Sequence, residues 1–222
     1  LKELAEKNHC FLFEAITTLH LGNYKKIQEW LGRIGDIKLV QSQYSQYSRR
    51  YDAFRAGEIL PAFDPAKAGG AMMDINLYNL HFIMGLFGRP QSGQYYANVE
   101  RGIDTSGIAV LDYGSFKAFA ACAKDSWGSR GAVIQGTDGV IRTDGAPGVI
   151  GRVTLELNDG TAEEFDDGMG KSRIVPEFED FIRAVNENDT AYAAELLDKS
   201  IAVTEIQTQL RKSAGILFPM DD

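Results

Sequence analysis

The chain has 222 residues, 44% of them hydrophobic and 24% charged, with a formal net charge of −8 at pH 7. That is the composition of an ordinary globular protein, long enough for one large domain or two small ones. The acidic balance argues against a nucleic-acid partner, which needs a basic face, and no apolar run approaches the ~18 residues of a membrane span.

In chain order, LKELAEKN (1–8) reads as the end of a helix, so a preceding segment is expected. HCFLFEA (9–15) is a compact apolar strand candidate, and NYKKIQEWL (23–31) has helical spacing with Asn23 as its cap. IKLVQSQYSQY (37–47) alternates and is rich in β-formers, hence a strand. Residues 48–68 read as a long polar loop with Pro61 and Pro65. One helix is expected from about 70 to 87.

Beyond Gly88-Arg89-Pro90 come seven short β-rich runs separated by turn signals such as Thr137-Asp138-Gly139 and Asn158-Asp159-Gly160. They predict a mostly antiparallel open sheet. Two helices near 176–187 and 190–213 close the chain, with Pro176 in the first turn of one and Thr190 capping the other. Strands and flanking helices without regular alternation make the fold class α+β, with helices on one face of the sheet. The other face is then free to build a homo-oligomer.

Cys10 and Cys122 sit in apolar runs and read as free buried thiols, which suits the cytoplasm. Residues 1–58 carry nine Lys/Arg against seven Asp/Glu, while the remainder carries fourteen against twenty-four. A basic N-terminal quarter suits an anionic ligand, or is ordinary surface scatter.

Several familiar motifs fail. DDGMGKS (166–172) ends like a phosphate loop, but Phe165 stands where the pattern needs its first glycine, so it reads as a surface loop. No Gly-x-Gly-x-x-Gly fingerprint occurs. His9, His20 and His81 are not spaced as metal ligands, and no metal is expected.

The informative stretch is GGAMMDINLYNLHF (69–82). Asp74, Tyr78 and His81 fall at i, i+4 and i+7 and share one face of a helix to within roughly 60°. The rest of that helix is apolar, so a buried polar stripe must meet partners, water or a ligand. A satisfied structural network is one reading. In the other, Gly69 and Gly70 let a ligand approach the backbone, and Asp74 orients the Tyr78 phenol for proton transfer.

FDPAKAGGAMMDINLYNLHFIMGLFG (63–88) resembles the glycine-glycine, Asp-x-x-x-His/Tyr helix of the glucose–fructose oxidoreductase / inositol dehydrogenase / MocA (Gfo/Idh/MocA) family of NAD(P)-dependent oxidoreductases. FLFEA (11–15), GIDTSGIAVLDYG (102–114), IQGTDGVIR (134–142) and the closing LRKSAGILFP resemble further stretches of the family in the same order.

The resemblance implies that residues 1–15 are the end of an N-terminal Rossmann domain and 16–222 the C-terminal substrate-binding and oligomerisation domain. NAD or NADP would be held mainly by that Rossmann domain, and this chain alone would not turn over substrate. It also implies Asp74 and Tyr78 as catalytic residues, with a Glu-Lys-Pro lysine upstream of Leu1 lowering the phenol's pKa. The substrate would be a sugar, polyol or related hydroxy compound, met by Gly69, Gly70, Gln43, Tyr47, Arg49 and His81. His81 is either a substitute base or a buried histidine.

This sequence departs from the family at Asn76, where glycine is usual, and at Leu19-His20-Leu21-Gly22. Those departures leave open a non-catalytic member that senses a ligand or builds an assembly.

Overall fold

The computed structural model describes residues 1–168 and 172–221, so Gly170 and Lys171 of the failed phosphate-loop motif lie outside the described residues. The chain runs α1 (Lys2–Lys7), α2 (Gly22–Trp30), β1 (Ile37–Ser45), α3 (Arg49–Arg55), α4 (Ala71–Asp74), α5 (Asn76–Phe87) and β2 (Ser92–Glu100). Then follow β3 (Ile103–Asp112), β4 (Lys117–Ala123), β5 (Arg130–Gly136), β6 (Gly139–Asp144), β7 (Val153–Leu157), β8 (Ala162–Phe165), α6 (Val175–Asn186) and α7 (Thr190–Ser213).

The strands form one open sheet in the order β2-β3-β4-β1-β5-β6-β7-β8. Every neighbouring pair is antiparallel except β1 with β4. That exception has a topological cause. β1 comes early in the chain and is slotted between β4 and β5, and a parallel pair needs a long crossover, here everything from α3 to β3. Strand alternation then sorts side chains by face.

Leu111, Ala118, Val40, Ile134, Ile141 and Leu155 stand side by side across six strands and are all buried under the helices. Fully burying each larger aliphatic is worth about 1.5–3 kcal/mol. The neighbouring row, Tyr96, Ile108, Ala121, Gln43 and Gly131, lies on the open face. There Tyr96 is 66% and Ile108 48% exposed.

All seven expected strands after residue 90 form, as do both closing helices. Several local expectations do not hold. Residues 11–15, expected as a strand, have no regular secondary structure and join no ladder of the sheet.

Asn23 is not a cap. It lies inside α2, where its amide donates to the carbonyls of Ile150 (2.8 Å) and Gly151 (2.7 Å) and its oxygen accepts from Asp167 N–H at 2.8 Å. The stretch 48–68 contains α3, capped by the Ser48 side chain, and two short 3-10 turns begun by Pro61 and Pro65. Asp189, not Thr190, caps α7 by accepting from Tyr192 N–H at 3.1 Å. Both thiols are free, but Cys10 is exposed and only Cys122 is buried.

The expected single helix is two. At Ile75 the backbone swings to φ −119°, which ends α4 and precedes α5. Two buried amides dock α5 to the sheet from there. Asn79 accepts from the Ser42 hydroxyl (2.8 Å) and donates to the carbonyl of Ala121 (3.0 Å) and to the Asn76 side-chain oxygen (2.7 Å). Asn76 in turn reaches the Ala120 carbonyl at 3.4 Å. The buried polar stripe of this helix is therefore Asn76–Asn79, and it is satisfied.

Candidate active site

Gly70 opens α4 at φ +104°, where a side chain would be strained, and a Cβ there would fall 2.1 Å from Asp104 Oδ1. That carboxyl does the work of a remote helix cap. Asp104, fully buried on β3, accepts from Met72 N–H (2.6 Å) and from the Tyr95 hydroxyl (2.8 Å) through Oδ2. Burial pushes its pKa above the ordinary carboxylate value, and the two donated bonds only partly oppose this. Gly69 is packed against the 61–64 turn in the same way. The glycine pair thus lets the protein's own backbone and Asp104 come close.

Asp74, the last residue of α4, meets Lys124. The ammonium donates to Asp74 Oδ2 at 2.5 Å and to the Ala62 carbonyl at 2.9 Å, and lies 4.5 Å from the centre of the Phe63 ring. The Lys124 side chain is 2% exposed and that of Asp74 46%. Lys124 directly follows β4. Its N–H donates to Thr105 O (2.8 Å) and its C=O accepts from Ser48 N–H (2.8 Å), so the backbone on both sides fixes where the side chain starts.

One helical turn beyond Asp74, the half-buried Tyr78 ring lies edge-on to Tyr44, centroids 6.1 Å apart. On its other side it packs against Gly148, where a Cβ would come within 2.9 Å. Thr17 holds that glycine by donating to its carbonyl at 2.8 Å. Burial, then the neighbouring Tyr44 and the Asp74 charge, push the Tyr78 phenol above its ordinary pKa, while Arg173 pulls it down. In this domain Tyr78 is a neutral phenol at pH 7.

Asp74, Tyr78 and Lys124 face Tyr44, Gln46, Ser48 and Arg50 across a cleft of about 230 Å³. Larger hollows of about 470 and 500 Å³ lie along α7, but neither includes Asp74 or Tyr78. The small cleft is the one that brings Asp74, Tyr78 and Lys124 together.

Of the residues singled out from sequence, the structure brings Asp74 and Tyr78 together and distributes the rest. His81 is buried on the side of α5 toward α7, with Nε2 3.3 Å from Glu14 Oε2. Burial works to raise the Glu14 pKa, but His81 and Ser200 outweigh it, and the net shift is downward. Gln43 points to the open face of the sheet, because Ser42 and Tyr44 on either side of it point inward. Tyr47 donates to Asp52 at 2.6 Å, and Arg49 is exposed at the start of α3, while its neighbour Arg50 lines the cleft.

Sequence reasoning missed Lys124. A lysine closing the apolar run FAACA looks like the solvent end of a strand, and only the turn that follows carries it back under α4. Among the described residues, no group of three or more His, Cys, Asp or Glu could hold a metal, and no helix is long and apolar enough to cross a membrane.

An open α+β sheet that carries a helix-borne carboxylate and phenol over one cleft is the class of domain found here. Residues 24–142 match the GFO/IDH/MocA C-terminal domain, and the chain belongs to that family. It is 34% identical over 221 residues to scyllo-inositol 2-dehydrogenase (NADP(+)) IolU of Bacillus subtilis, covering 98% of this chain and 66% of that protein. Trans-1,2-dihydrobenzene-1,2-diol dehydrogenase of Oryctolagus cuniculus is 24% identical over 233 residues, with 98% and 66% covered.

Among solved structures, a mutant of the Actinomadura kijaniata 3-ketoreductase KijD10, in complex with TDP-benzene and NADP, superposes with a TM-score of 0.74. The identity is 16%, and 96% of this chain and 64% of that one are covered. Levoglucosan dehydrogenase, in complex with NADH and levoglucosan, gives 0.69 at 15% identity, covering 90% and 62%. At such identities the likeness speaks for the fold. The chain spans 66% of the length of the curated relatives named here.

Proposed function

We propose that this chain is the substrate-binding and catalytic-support domain of an NAD(P)-dependent oxidoreductase that acts on a sugar, polyol or related hydroxy compound. The family membership and the partial span of its relatives support a nucleotide-binding domain contributed by sequence before about residue 15. The free thiols are in keeping with a cytoplasmic enzyme. The observation that carries the reading is the pairing of a lysine-held carboxylate with a phenol over one small cleft.

The residues fit that division of labour. A cleft of about 230 Å³ suits the substrate end of a reaction and is too small to enclose a dinucleotide. A bound nicotinamide would supply the hydride chemistry at the substrate carbon.

Within the chain, Tyr78 holds the proton that passes to or from the substrate oxygen. Asp74 offers its solvent-facing oxygen to a neighbouring substrate hydroxyl while Lys124 keeps the other oxygen occupied. A neutral phenol is set up to donate a proton to a carbonyl oxygen, as reduction requires. Working as a base, it would need a cation brought near by the nucleotide-binding part.

The test is Tyr78→Phe in the complete protein. The expected result is a fall in kcat of at least ~100-fold with the fold intact. Unchanged turnover would overturn the assignment.

The open sheet face, with Tyr96, Ile108 and Val110 exposed, supports a homo-oligomer built through it. Sedimentation of the complete protein as a monomer at micromolar concentration would refute that.

A further inference from the structure

The chain has twelve arginines. Six are in ion pairs: Arg33, Arg89, Arg142, Arg152, Arg183 and Arg211. Arg55 reaches the Tyr47 phenol, and Arg101 donates to the Phe54 carbonyl. The side chains of the other four, Arg49, Arg50, Arg130 and Arg173, have no hydrogen-bonded or ion-paired partner among the described residues.

Two of the four stand at the cleft. Arg50 lines the cleft with Asp74 and Tyr78, and Arg49 precedes it in α3. Arg130 is the direct cross-strand partner of Tyr44, which forms the cleft's wall, and lies 5.9 Å over the Trp127 ring. On Tyr78 the charges of Arg173 and Glu177 act with opposite sign, so the cations that geometry places at the rim are Arg50 and Arg130. Lys124 contributes no net charge there, since Asp74 neutralises it. Arg50 and Arg130 thus leave unpaired positive charge beside the cleft in a chain whose net charge is −8.

Guanidinium forks match the geometry of carboxylate and phosphate, and a like-charged rim focuses anions toward a cleft. We infer that Arg50 and Arg130 form a subsite, at the rim of the cleft that holds Tyr78, for a phosphate or carboxylate group of a bound molecule. What the anion is attached to rests on the function proposed above, and two sources share the chemistry. It is the acidic end of a sugar phosphate or sugar acid, or a phosphate of the bound dinucleotide.

The test needs no turnover and so stands apart from the fate of Tyr78. Inorganic phosphate is titrated calorimetrically into the complete protein at low ionic strength. Saturable binding is expected, weakened roughly ten- to hundredfold in Arg50→Gln and in Arg130→Gln. Arg142→Gln, on the open sheet face, should leave it unchanged.

Binding that survives saturation with NADP+ assigns the subsite to the substrate, whereas binding abolished by NADP+ assigns it to the dinucleotide. No saturable phosphate binding, or binding equally strong in the Arg50→Gln/Arg130→Gln double variant, overturns the inference.

Discussion

Lys124 and Asp74 form a pair that is lopsided in burial: the ammonium is inside the protein, and the carboxylate it holds at 2.5 Å is half in solvent. Each donor direction of the lysine is taken up, by the carboxylate, by the Ala62 carbonyl and by the face of Phe63. Such an ammonium has no lone pair to offer as a base. Its effect is to hold one oxygen of Asp74 in place.

The lopsidedness gives unequal stability costs for the two halves of the pair. Asp74→Asn leaves a buried ammonium without its counter-charge and should cost about 3 kcal/mol of unfolding free energy. Lys124→Met keeps the buried stem and frees a carboxylate that water already reaches, so the loss should stay within about 1 kcal/mol. Urea denaturation of the two variants measures the difference. In the complete protein, Lys124→Met should nevertheless lower kcat by roughly tenfold or more, with partial recovery in Lys124→Arg, because Asp74 is no longer oriented.

Gly70 is sensitive in another way. Alanine there meets both a positive φ and Asp104 Oδ1, and each is unfavourable by itself. Gly70→Ala should destabilise by about 2 kcal/mol or more. Gly57 is the control, since it also has positive φ but no atom near a would-be Cβ. Thermal unfolding of the two alanine variants should show the larger loss at Gly70. Equal losses would mean that Asp104 simply moves aside.

The amide dock of α5 should be indispensable. Asn79→Leu strands the Ser42 hydroxyl, the Asn76 side-chain oxygen and the Ala121 carbonyl side of the contact in a buried layer. About 3 kcal/mol is the expected loss, from orphaned buried groups at ~1–3 kcal/mol each. Hydrogen exchange should show it as faster opening of α5, which carries Tyr78.

The C-terminal hook supplies a pH dependence. Arg211 grips Asp221 with two bonds of 2.6 and 2.7 Å, and Phe218 N–H donates a third at 2.7 Å. Together they hold the Asp221 carboxyl well below its ordinary range. The folded pKa is depressed, so the contribution is present above the unfolded value near ~4 and is lost as pH falls through the folded one. The urea midpoint should therefore fall from pH 5 toward pH 2, less steeply in Asp221→Asn. Identical slopes would remove Asp221 from the acid transition.

Periodicity and turn chemistry determined most of the local structure. Alternating β-formers and Asp-Gly turns fixed seven strands from residue 92 onward, and their side chains sort by face for the same local reason. The i, i+4 spacing of Asp74 and Tyr78 was equally legible, because it survives the break at Ile75.

What the tertiary structure alone decided is long-range. β1 is inserted between β4 and β5, which no local pattern signals. Asn76 and Asn79 are buried amides only because strand carbonyls lie opposite them. His81 meets Glu14 rather than the cleft, since α7 covers that side of α5. Lys124 is fifty residues from Asp74 in sequence, and nothing in FAACAKD shows that its ammonium will turn inward. Spacing along a chain reports which neighbours share a face. Which remote group meets that face depends on how the sheet is wound.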